Sequence, residues 1–156
     1  MEATWLNERE MRMWDLFLLV SSATSQRIEH QLQESVQLTA IQYQLLARLE
    51  QMPQHRIRFR DLASLLSITK AGLTYQVKRL ETDGLVFRQD DPEDHRSKWV
   101  GLTSTGLRTL EKAAPGHVDT VRRSFVDLLD KAQQETLTEI LQSIYEHLIR
   151  ESRVEG

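Results

Sequence analysis

The stretch TKAGLTYQVKRLETDGLVFR, Thr69 to Arg88, decides how this chain is read. Thr69 stands where a helix N-cap belongs and Gly84 where a glycine closes a helix, so the pattern predicts a helix running to Thr82. At 100° per residue, Leu73, Val77 and Leu80 fall on one side of it, as a core-facing stripe must. The opposite side carries Ala71, Tyr75, Lys78 and Thr82, with Thr74 beside them. Small, hydroxylated, aromatic and cationic groups in that arrangement suit base edges, thymine methyls and phosphates. An ordinary solvated face is the alternative reading of this helix taken alone.

The flanks narrow the choice. Upstream, Leu62, Ala63 and Leu66 predict a brief helix over residues 60–66, with a break at Ser67 and Ile68. Downstream, Leu85 to Gln89 and Lys98 to Leu102 are rich in β-branched and aromatic residues, while Asp90 to Ser97 contains Pro92 and many turn formers. That is a hairpin with a long, charged tip. Short helix, tight turn, second helix and hairpin over residues 60–103 match a winged helix-turn-helix, whose second helix enters the major groove.

Further out the chain is helical. Trp14, Phe17, Leu18, Ile28 and Leu32 recur at helical spacing from about Asn7 to Gln33, with Ser21 and Ser25 in the same stripe. Thr39 and Gln42 have the form of a capping box, opening a helix whose Ile41, Leu45, Leu46 and Leu49 face a core, and which stops near Gln51 before Pro53. Thr103 caps a helix reaching about Ala114, where Pro115 and Gly116 are expected to interrupt or kink it before the pattern resumes from Val118 to Leu129. Leu137, Ile140, Leu141, Ile144 and Leu148 form a last stripe over residues 133–149. The fold class is therefore α+β, mostly α. Residues 1–156 read as a single domain, with a winged lobe over 38–106 and a helical dimerisation lobe built from 5–34 and 116–152.

Composition sets bounds on function. The absence of Cys removes disulfides, thiolate metal sites and thiol redox sensing. The start of the sequence lacks the layout of a signal peptide, and the apolar run Leu16 to Val20 is far short of the roughly 20 residues that span a bilayer, so a cytoplasmic protein without a membrane partner is expected. A net charge of −3 argues mildly against nucleic-acid binding. Distribution matters more: residues 55–100 hold nine Lys/Arg against seven Asp/Glu, which makes that segment +2 and the remainder −5.

The segment GLTYQVKRLETDGLVFR (72–88), followed by Asp94-His95-Arg96 and then by Leu102, Thr103 and Gly106, resembles the multiple antibiotic resistance regulator (MarR) family. Thr39 to Leu49, with Gln42, Tyr43 and Leu46, is similar to that family's second helix. The resemblance implies a homodimer whose first and last helices intertwine, binding double-stranded DNA with a wing from each subunit in the flanking minor groove. It makes Arg96 the wing-tip cation and Asp94 the carboxylate that positions it. A narrow minor groove concentrates negative potential, so one Arg there contributes shape readout. A surface ion pair unrelated to DNA is the plainer account of the same two residues. Arg88 and Lys98, at the base of the hairpin, are candidate phosphate contacts, and Lys70 and Lys78 are the cations of the reading helix. Arg79 precedes Asp83 by four and is expected to pair with it on the helix surface.

Many members of the family carry an arginine where this chain has Tyr75. A tyrosine can stack, donate to phosphate or pack on a thymine methyl, so base preference does not carry over. Relatives are commonly released from DNA by small aromatic or anionic effectors. Trp14, Phe17, Ser21 and Ser25 form the candidate pocket; close helix packing accounts for the small serines equally well. The implied function is a ligand-responsive homodimeric repressor on a pseudo-palindromic operator, with no cofactor.

Other classes find less support. His30, His55, His95, His117 and His147 are scattered without a thiolate, and the acidic run Asp90, Asp91, Glu93, Asp94 lacks the glycine of a calcium loop, so no metal site is expected. An enzyme is not expected either, because no phosphate-cradling glycine loop, nucleophile elbow or zinc-hydrolase helix is present. A winged helix used only for protein contacts has no need of cations on both the reading helix and the wing.

Overall fold

The computed structural model describes residues 5–91 and 97–154. The elements follow the order α1 (Glu8–Val36), α2 (Ala40–Glu50), β1 (Arg56–Arg58), α3 (Phe59–Leu65), α4 (Lys70–Thr82), β2 (Val86–Asp90), β3 (Lys98–Leu102), α5 (Ser104–Ser124) and α6 (Lys131–Val154). Local chemistry sets most of these boundaries. Asn7 and Glu10 form a reciprocal capping box at the start of α1, and Thr39 and Gln42 form another at the start of α2. Thr69 Oγ1 accepts from the Gly72 amide, and Thr103 Oγ1 from the Gly106 amide, so one threonine begins each of α4 and α5.

Both helices of the helix-turn-helix end in Schellman motifs, which explains the sharp turn between them. After α3, Ser67 adopts φ 52° and the Ile68 amide returns to the Ala63 carbonyl. After α4, Gly84 takes φ 71°, and the Leu85 amide returns to the Leu80 carbonyl at 2.8 Å. A glycine holds that left-handed conformation without a Cβ penalty. The strand that follows is thereby aimed away from the helix.

The sheet is antiparallel in the order β1-β3-β2, with Ile57 opposite Val100 and Arg88 opposite Val100 on the other side. The segment leading into α3, to which the sequence pattern assigned no element, is thus a third strand. One core lies beneath sheet and helices: Leu32 of α1, Leu45, Leu46 and Leu49 of α2, Leu62 of α3, Leu73, Val77 and Leu80 of α4, Val100 of β3 and Ala113 of α5 are all fully or almost fully buried.

Three details depart from expectation. Helix α5 continues through Pro115 to Ser124, so the proline does not interrupt it. Pro115 and Glu111, whose carbonyl loses its amide partner, are both exposed, so water can satisfy that carbonyl and the helix continues. The stripe from Val118 to Leu129 is not one helix, because a single 3₁₀ turn, Val126–Leu128, separates α5 from α6. Among the described residues Arg79 and Asp83 form no ion pair, since α4 ends at Thr82 and Asp83 serves as its C-cap.

The outer helices leave much apolar surface uncovered. Helix α1 packs along α5 through its C-terminal half, but Trp14, Phe17 and Leu18 are about half exposed and Met13 is 67% exposed. Among the described residues no element packs along α6, whose Ile140, Leu141, Ile144 and Leu148 are all about half exposed.

Candidate nucleic-acid interface

Helix α4 buries Leu73, Val77 and Leu80 and exposes the opposite face, Lys70, Ala71, Thr74, Tyr75 and Lys78. Tyr75 is 60% exposed, a large ring held out from a face that nothing among the described residues covers. The Thr74 hydroxyl donates to the Lys70 carbonyl at 2.8 Å, which leaves its oxygen free to accept. The whole predicted face is thus gathered on one side of one helix.

The hairpin cations are placed differently. Arg88 of β2 donates through Nε to Glu81 of α4 at 2.9 Å, and Lys98 of β3 is paired with Asp90. The Arg88 guanidinium holds the Glu81 carboxyl below its ordinary range, and Glu81 in turn raises Arg88. Pairs as exposed as these are worth about 0–1 kcal/mol, so exchanging a carboxylate for a phosphate costs little. The Arg88–Glu81 bond also ties the wing's first strand to the end of the reading helix. Asp94 and Arg96, the pair singled out at the wing tip, lie outside the described residues.

Thr103 joins three elements at one atom cluster. Its hydroxyl lies 2.7 Å from the Gly84 carbonyl and 3.1 Å from that of Leu85, while its amide donates to Leu85. The end of α4, the start of the wing and the start of α5 are therefore fastened together.

Sequence reasoning missed a second polar cluster. Arg56 and Arg58 of β1 lie over the Trp99 ring, 5.2 and 5.6 Å from its centroid, and Arg58 Nη2 is 3.2 Å from Oδ2 of the buried Asp91. The alternation Arg56-Ile57-Arg58-Phe59 was the available signal, since it has the period of a strand.

The candidate effector residues do not enclose a space. Trp14 and Phe17 stack at 5.6 Å, but they and Ser21 and Ser25 line an open face of α1. An open cleft of about 550 Å³ lies further along, between α1 and α5, lined by Arg27, His30, Gln31, Asp119 and Arg123 among others. Beside it, His117 of α5 packs against Tyr43 of α2 with ring centroids 4.1 Å apart, and its Nδ1 is buried without a hydrogen-bond partner. Burial lowers the imidazole below its ordinary value of 6.5 and raises the Tyr43 phenol. The unfolded chain therefore binds the proton more readily than the folded one. Stability is complete while the imidazole is neutral in both states, and is lost as pH falls through 6.5 toward the folded value. Thermal melts between pH 7.5 and pH 5.5 should show this loss, and His117→Phe should flatten the profile.

The comparisons with known proteins agree with this geometry. The family model described as "MarR family" matches residues 36–97, from the last residue of α1 to the residue before β3. The crystal structure of Sco3205, a MarR family transcriptional regulator from Streptomyces coelicolor in complex with DNA, superposes with a TM-score of 0.91 at 35% identity, covering 94% of this chain and 92% of that one. The chain belongs to the MarR family. AbsC, a second MarR family regulator from S. coelicolor, is 36% identical, with a TM-score of 0.89 over 94% of this chain and 98% of its own. Among curated relatives, the HTH-type transcriptional repressor YetL of Bacillus subtilis is 28% identical over 106 residues, 68% of this chain and 63% of YetL. The MarR-type winged fold inferred from residues 60–103 is thus the fold present, and the chain is a transcriptional regulator of a DNA-binding family. No helix among the described residues is long and apolar enough to cross a membrane.

Proposed function

We propose that this MarR-family chain is a homodimeric, ligand-responsive repressor that grips a pseudo-palindromic operator. The observation that carries the reading is the exposed face of α4, where Lys70, Ala71, Thr74, Tyr75 and Lys78 stand clear of a helix whose other side is locked into the core. Major-groove readout needs a rigid helix with short polar, aromatic and cationic groups on its outer side. Arg88 and Lys98 flank the helix as phosphate contacts, and Arg96, held by Asp94, reads the minor groove beyond.

The uncovered stripes of α1 and α6 support a division into a winged lobe, 38–106, and a dimerisation lobe, 5–34 with 116–152. A soluble monomer rarely leaves so much contiguous apolar surface in water. A twofold axis would place two copies of α4 one DNA turn apart, roughly 34–36 Å, and so calls for an inverted repeat. YetL's description as a repressor supports the same sense of regulation here. The effector would sit against Trp14, Phe17, Ser21 and Ser25, a face that a partner subunit would close, and would act by favouring a spacing of reading heads that does not fit DNA. Titration with aromatic acids tests this part, because a bound effector must change DNA affinity or melting temperature.

Selection of bound sequences from random duplexes tests the whole reading, with enrichment of an inverted repeat as the expected result. On the selected site, Tyr75→Ala should cost about 1–3 kcal/mol and relax the preference at one position in each half-site, measured by fluorescence anisotropy. Lys78→Ala should weaken all sequences alike and reduce the salt slope by about one. Failure to enrich any repeat would overturn sequence-specific regulation.

A further inference from the structure

The wing and the helix-turn-helix are joined by an ion pair with one member in each, Asp91 and Arg58. Asp91 follows the last residue of β2, where the hairpin leaves the sheet; it is only 2% exposed, and its amide donates to the Ser97 carbonyl across the hairpin at 3.1 Å. A cation on this carboxylate, Arg58, comes from outside the hairpin. Arg58 is the last residue of β1 and at the same time the N-cap residue of α3, the first helix of the helix-turn-helix. Opposite it in the sheet stands Trp99, whose ring supports both Arg58 and Arg56.

A carboxylate withdrawn from water to this degree depends strongly on its partner, and removing one member of such a pair is far more costly than removing an exposed one. The planar guanidinium, backed by an aromatic ring, also fixes an angle that a flexible ammonium would fix less well. We infer that Arg58 is a positioning residue for DNA binding: through Asp91 it sets the angle between wing and reading helix, so that one rigid body meets the major and minor grooves together. The inference rests on the DNA-binding reading above. It assigns Arg58 no contact with DNA.

The test compares Arg58→Met, Arg58→Lys and Asp91→Asn in the full-length protein on the selected duplex. Hydroxyl-radical protection reports the minor groove at the flanks, and guanine-methylation protection reports the major groove at the centre. Arg58→Met is expected to lower affinity about tenfold, with flank protection lost and central protection kept. Asp91→Asn, a neutral isostere that leaves less to desolvate, should reproduce the same pattern, although it removes no positive charge. Arg58→Lys should restore part of the flank protection. Wild-type protection in both Arg58→Met and Asp91→Asn overturns the inference, as does uniform loss in both grooves. A loss confined to Arg58→Met also overturns it, since that is the signature of a direct phosphate contact. If the native protein protects no sequence at all, it is the DNA-binding reading that fails; a native footprint left unchanged by the variants removes only the role of Arg58. Should Arg58→Met not fold, Arg58→Gln takes its place beside Asp91→Asn.

Discussion

Ile144→Glu is expected to leave the fold intact, convert a dimer to a monomer and lower operator affinity at least about a hundredfold. Ile144 is 52% exposed and lies in the α6 stripe with Ile140, Leu141 and Leu148, along which no element of the described residues packs. A carboxylate there meets water in the monomer, so the intrachain cost is small. Pressed against a partner's apolar face it would have to be buried unpaired, at a cost of several kcal/mol. The DNA effect is larger than the loss of any single contact because two tethered reading heads bind the second half-site at high effective concentration, and separate subunits do not. Sedimentation velocity reads the first outcome and anisotropy on an inverted repeat the second. An unchanged sedimentation coefficient with full affinity would remove α6 from the proposed interface.

Gly106→Ala is expected to cost about 3 kcal/mol, although alanine is the better helix former. A Cβ at position 106 would lie 2.1 Å from the Leu85 carbonyl oxygen and 2.7 Å from Leu102 Cδ1. The carbonyl cannot yield, because it is held by the Thr103 amide and the Thr103 hydroxyl. Helix α5 must therefore lift from the start of β2, straining the cluster that fastens α4, wing and α5 together. For a domain of this size the loss corresponds to about 6–12 °C in melting temperature, which calorimetry measures directly. A shift of less than a degree would mean that α5 can slide without disturbing the threonine.

What the sequence disclosed was mostly local. Helix α4 could be read from Thr69 to Thr82 because its cap, its stripe and its closing glycine lie within one short segment and each has a near-neighbour cause. The reading face followed from the same periodicity. The third strand was hidden because Arg56–Arg58 finds its partner in Trp99–Gly101, more than forty residues away, and three residues carry too little pattern to announce a strand. The Arg58–Asp91 pair was hidden for the same reason, since in sequence Asp91 is only one member of the acidic run from Asp90 to Asp94. Pro115 misled in the other direction: its usual effect on a helix depends on whether the orphaned carbonyl is buried, which sequence does not record.

The unbroken α5 has a mechanical consequence. Its 21 residues make a rod about 30 Å long, bolted at one end by Thr103 to the reading head and carrying the half-exposed Val118 toward the other. Rods of that length magnify small rotations: a tilt of about 5° at one end displaces the other by about 2.5 Å. Two such rods related by a twofold axis would change the distance between reading heads by about 5 Å, roughly one and a half base-pair steps at 3.4 Å each. A protein that measures DNA with a ruler of this kind can be detuned by a movement scarcely larger than a methyl group.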